Sequence, residues 1–183
     1  MNWFNTILLL LTAFVAVFMQ SAFGFTRPLL GAQVDLLPPL VVYASLTGKL
    51  TSVALLAAWG GLCFDSLSAN PPGVSVLPLF AVGFVIYLKR GLILRDQFTA
   101  RFVLGALAGA GVPVLTVLLL LSLGQRPLLG WGSLWQLVVM SLGGGILTPV
   151  IFWFFDLLHR AFAYRPAAQT SFRPDREIRR GKI

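Results

Sequence analysis

The chain has 183 residues, of which 57 % are apolar and only 11 % charged, against about 45–50 % and about 25 % in soluble domains. So few charges cannot clothe a water-facing surface, which excludes a soluble globular protein and predicts an integral membrane protein. The net charge of +8 does not indicate nucleic acid, because the basic residues stand at segment ends and in the C-terminal tail instead of alternating with aromatics on one face.

A bilayer core about 30 Å thick needs roughly 17–25 helical residues per crossing. The first apolar segment, about Phe4–Phe25, meets that length and stops at Arg27-Pro28. It lacks a basic leader and a small-residue cleavage site, so it reads as a retained span and not a signal peptide. The second, about Asp35–Thr47, is short and opens Asp-Leu-Leu-Pro-Pro; prolines suit a helix start, where no intrahelical N–H bond is lost. Lys49 separates it from the third, about Leu50–Leu67.

Along that third segment Thr51, Ala54, Ala58, Gly61, Asp65 and Ser68 step by three and four, forming one stripe on a helix. Small residues let helix backbones approach in lipid, so the stripe predicts a packing seam that ends in a polar locus at Asp65. The plainer reading of Asp65 is an interfacial carboxylate in water. The chain then reverses through Asn70-Pro71-Pro72-Gly73. Cys63, the lone cysteine, allows no internal disulfide and no cysteine-based zinc site.

The fourth segment, about Val74–Leu88, is also short and ends at Lys89-Arg90; a basic connector, Gly91 to Arg101, leads to the fifth, about Phe102–Leu123. The sixth runs about Leu134–Leu158 into His159-Arg160. Gly105-xxx-Gly109 and Ala106-xxx-Ala110 in the fifth and Gly143-Gly144-Gly145 in the sixth are small-residue contact faces, with core packing the plainer account. Pro113 and Pro149 are expected to kink their helices.

Six crossings put Lys49, the Lys89–Arg101 loop and the tail on one side. That side then carries twelve of the fourteen Lys/Arg, leaving Arg27 and Arg126 opposite, and the positive-inside rule makes it cytoplasmic. The expected fold is an all-α, compact bundle of six transmembrane helices, two of them short, with both termini cytoplasmic. Residues 1–160 form the membrane domain, and 161–183 a basic tail with too little apolar content for a core. Asp35 and Asp65 then share the outer face.

Reactive chemistry has little to work with. No HExxH, GxSxG or phosphate-cradling glycine loop occurs. The single histidine, His159, ends the last span beside Asp156, whose spacing to Arg160 suits an interfacial ion pair. The expectation is no catalytic residue, no cofactor and no metal site. A transporter places polar groups deep in its bundle, whereas here the segment middles are nearly free of charge. A membrane scaffold needs only seams and a docking face.

Several of these stretches together resemble the MreD family of the bacterial rod-shape (elongation) machinery. Val34-Asp35-Leu36-Leu37-Pro38 is similar to that family's entry into its second span. Gly60-Gly61-Leu62-Cys63-Phe64-Asp65-Ser66-Leu67-Ser68, followed by Pro72-Gly73, resembles its best-marked region, and Leu147-Thr148-Pro149 resembles its last span. The basic tail has no counterpart. The resemblance implies a multi-pass component of the bacterial cytoplasmic (inner) membrane that binds the bitopic protein MreC. It also implies indirect association with a polytopic glycan polymerase and a penicillin-binding transpeptidase in lateral peptidoglycan synthesis. The residues that would pack or meet the partner are Asp35, Pro38, Gly61, Asp65, Ser68, Gly73, Gly105, Gly109, Thr148 and Pro149. Membrane lipid is an expected contact and nucleic acid is not. The alternative is the substrate-binding membrane subunit of a vitamin-type (energy-coupling-factor) importer, also a compact six-helix design.

Overall fold

The computed structural model describes residues 3–23, 31–68, 71–92, 97–125 and 130–162. Among them are six helices and no strand: α1 Trp3–Phe23, α2 Leu37–Thr47, α3 Leu50–Leu67, α4 Val76–Lys89, α5 Phe98–Ser122 and α6 Trp131–Phe162. The tail from 163 onward, and Arg27, Asn70, Arg95 and Arg126, lie outside the described residues.

Four helices, α1, α3, α5 and α6, are long and apolar enough to cross a membrane. At 1.5 Å per residue the 11 residues of α2 and the 14 of α4 reach only about 16 and about 21 Å. The outer faces carry large apolar side chains in helical register, such as Ile7, Leu11, Phe14 and Phe18 on α1 and Leu142, Ile146, Val150 and Trp153 on α6, all exposed. Contiguous apolar surface on that scale is not sustained in water. It suits lipid.

The short helix α2 is the hub. It touches each of the other five helices, and every residue from Leu37 to Leu46 is buried. A helix apolar on all sides belongs inside a bundle, which explains why a segment too short to cross a bilayer alone is stable here. Its neighbours leave room for it through missing side chains. A Cβ on Gly83 of α4 would lie 2.7 Å from side-chain carbons of Val41 and Val53, and one on Gly60 of α3 would lie 2.9 Å from Leu37 Cδ2. Toward the far end of α2, Tyr43 stacks on Phe155 at 4.3 Å and meets the edge of Phe152 at 5.0 Å between centroids.

The most extensive helix pairing among the described residues is α5 with α6, and glycines again permit it. A Cβ on Gly105 would collide with Thr148 Oγ1 and the Gly144 carbonyl, and one on Gly109 with the Met140 carbonyl. Ser141 Oγ donates across this seam to the Ala106 carbonyl at 3.1 Å. Both helices continue through their prolines, Pro113 and Pro149. α5 begins at Phe98, so Arg101, expected in the connector, is helical; its guanidinium lies 4.3 Å from the centroid of the Phe152 ring.

Candidate functional site at the α2 and α4 helix starts

A helix begins with backbone N–H groups that have no partner within the helix. The short helices α2 and α4 each start beside an aspartate, one just ahead of α2 and one borrowed from α3. Asp65, near the end of α3, is 3 % exposed. Its Oδ2 accepts from the backbone N–H of Gly73 at 2.7 Å and of Ser75 at 3.2 Å. Ser75 is the N-cap of α4 but its side chain makes no capping bond, and the first turn of α4 holds no acid. Asp65 therefore supplies from α3 both the acceptor and the negative charge that the positive end of α4 favours.

The local chain is built to allow this. Gly73 takes φ +95°, a conformation that costs a side-chain-bearing residue dearly. Gly61, one turn before Asp65, faces the start of α4 so closely that a Cβ would lie 2.9 Å from Val76 N and Cα. Ser68 closes α3 by donating its N–H to the Asp65 carbonyl at 3.2 Å. Gly61, Asp65, Ser68 and Gly73 thus form one junction between α3 and α4. Asp65 Oδ1 is buried and has no hydrogen-bond partner among the described residues.

Asp35 does the matching work for α2. Its Oδ1 accepts the Leu37 N–H at 3.0 Å, and Pro38 and Pro39 occupy the first turn, where an N–H would be surplus. Gln20 of α1 ties this loop down, donating to the Val34 carbonyl at 2.6 Å and reaching Asp35 Oδ1 at 3.5 Å. Sequence reading did not single out Gln20. The signal was there: it is an amide within an apolar segment, where a polar side chain needs a partner.

Between these helix starts lies a cleft of about 210 Å³ lined by Asp35, Pro38, Phe64, Ser75, Gly109 and Met140 among others. Asp35 lines it directly, and Asp65 stands behind Ser75. No hydrogen bond joins the two carboxylates among the described residues. Gly109 also belongs to the α5–α6 seam, so the cleft adjoins that seam. Gly105, Thr148 and Pro149 lie elsewhere along it: Thr148 and Pro149 are buried, and Thr148 Oγ1 donates to the Gly144 carbonyl at 2.8 Å.

The Thr51–Ser68 stripe is only partly inward. Gly61 and Asp65 are buried, but Thr51 is exposed and Ala54 and Ala58 are half-buried, while Ser52, Val53, Leu56 and Ala57 face the bundle. At the opposite end of the bundle His159 meets Asn5 of α1. Its Nδ1 donates to the Phe155 carbonyl at 2.7 Å, which leaves Nε2 to accept from Asn5 Nδ2 at 2.8 Å. The histidine thus clamps the first helix to the last.

Among the described residues no group of three or more His, Cys, Asp or Glu side chains is placed to hold a metal ion. No family model, no curated protein and no solved structure matches the chain.

Proposed function

We propose that this chain is a non-catalytic scaffold of a bacterial cytoplasmic membrane, acting as the MreD resemblance implies. It would hold an MreC-like bitopic protein and, through it, support a glycan polymerase and a penicillin-binding transpeptidase in lateral wall synthesis and cell-shape maintenance. The observation that carries this reading is the engagement of Asp65. Its carboxylate is turned to the backbone of the α3–α4 junction, as suits a group that fixes the shape of a docking end.

In this reading all six helices are crossings, with both termini cytoplasmic. The twelve-to-two division of Lys/Arg supports that topology through the positive-inside rule. The Asp35 and Asp65 end then faces outward, toward a periplasmic partner.

The cleft of about 210 Å³ beside Asp35 favours a second reading, the substrate-binding subunit of a vitamin-type importer. Mild detergent extraction of the tagged full-length chain from its native membrane separates the two. The scaffold reading expects a bitopic protein with a periplasmic domain to be recovered in near-equal amount. A retained small molecule with no such protein would overturn it in favour of the importer.

A further inference from the structure

The surface between α4 and α5 carries an open groove of about 500 Å³, remote in its lining from the helix-start carboxylates. Val82, Val85 and Lys89 line it from α4, and Leu104, Ala108 and Leu115 from α5. Among the described residues Lys89 is its only charged lining residue, and it stands at one end, where α4 terminates.

The occupant follows from length, volume and charge. From Leu104 to Leu115 the α5 wall rises about 16 Å, the depth of one leaflet of a hydrocarbon core about 30 Å thick. A second helix over that length, about 10 Å wide, fills on the order of 1,300 Å³ and would stand largely outside it. A single extended hydrocarbon chain fits within it. At the groove's end, Arg90 is engaged, donating to the Gly48 carbonyl at 3.0 Å with its guanidinium 4.2 Å from the Tyr87 ring centroid. Lys89 is exposed, and its ammonium has no hydrogen-bond or ionic partner among the described residues. A lysine placed there lays its stem along apolar surface and holds its ammonium at headgroup level, where basic residues between membrane helices meet anionic headgroups.

We propose that this groove seats one acyl chain of an anionic phospholipid from the leaflet on the Lys89 side, with the lipid phosphate against the Lys89 ammonium. The assignment is independent of the scaffold reading and needs only that α4 and α5 lie in lipid.

Native mass spectrometry of the full-length chain in detergent, titrated with phosphatidylglycerol or phosphatidylcholine, tests it. The chain should retain phosphatidylglycerol in preference to phosphatidylcholine. One Lys contributes about 1 kcal/mol near anionic lipid, so Lys89→Ala should cut that preference about fivefold; Lys89→Arg should keep it. Val85 is 58 % exposed, so Val85→Trp can cover the groove without entering the core and should reduce retention of both lipids. Arg160→Ala, removing an exposed charge outside the groove, should leave the preference intact. Unchanged preference in Lys89→Ala would overturn the proposal. So would an equal fall in Arg160→Ala, which would mark diffuse attraction, or undiminished retention in Val85→Trp.

Discussion

Asp65 acts on a helix other than its own, and substitutions there separate shape from charge. Hydrogen bonds to a charged acceptor contribute about 1.5–3 kcal/mol, and a buried donor left without a partner costs about 1–3 kcal/mol. Asp65→Asn retains an oxygen that can accept from Gly73 or Ser75, so a loss of about 1 kcal/mol is expected, with capture of the bitopic partner largely kept. Asp65→Leu orphans both N–H groups and should lower the melting temperature in detergent further and weaken capture. Equal, complete loss of capture in both variants at matched membrane levels would show that the charge itself is recognised. Gly61 offers a companion test. Its Cβ would meet the backbone of Val76, which cannot move without shifting α4, so Gly61→Ala should destabilise by about 1–3 kcal/mol. Leu62→Phe, on an exposed position, should be close to neutral in the same thermal assay.

Between elements, the same alanine scan distinguishes two glycines of one helix. Gly105→Ala drives a methyl group into Thr148 and the Gly144 carbonyl of α6, and overpacking of this kind costs about 1–3 kcal/mol. At Gly111 the added Cβ would lie 3.5 Å from Val82 Cγ2, an ordinary contact, so the better helix propensity of alanine, about 1 kcal/mol, should show as a neutral or raised melting temperature. No loss at Gly105 would mean that α5 and α6 do not meet there. Such glycine pairs were visible in the sequence as small-xxx-small patterns. What they touch was not, because the pattern names a face and not its partner. The inward face of α3 is not legible toward its start for a related reason: where every side is apolar, small polar residues have to mark the inside, and Thr51 and its neighbour Ser52 both qualify. Arg101 was assigned to a loop on its charge. The Phe152 ring beneath its guanidinium is a contact between distant residues that no local pattern reports.

For the molecule as a whole, the order of the six apolar segments was legible in the sequence, and α3 spans the same residues in both readings, Leu50–Leu67. The central position of α2 was not legible, since it depends on five separate packings and its own sequence differs little from that of a short lipid-facing span. The six-crossing topology has a direct test in intact cells. With Cys63 replaced, a membrane-impermeant maleimide should label Gly132→Cys from outside and miss Gly91→Cys; among the described residues neither glycine has a neighbour that a new side chain would disturb. Outside labelling at position 91 would overturn the topology.

The central place of α2 also dictates an order of biogenesis. A nascent α2 is too short to leave the translocon as an independent span, and it carries prolines at its start and Tyr43, Ser45 and Thr47 toward its end. Its aromatic seat, Phe152 and Phe155, is synthesised roughly 100 residues later, about 5–20 s at typical elongation rates. During that interval α2 has to be sheltered by α1 and α3, or by an insertase, and the bundle closes only when α6 arrives. A chain stopped before Trp131 should therefore be recognised as unfinished and degraded. Supplying α6 as a separate polypeptide in the same membrane should restore its half-life in a pulse-chase experiment.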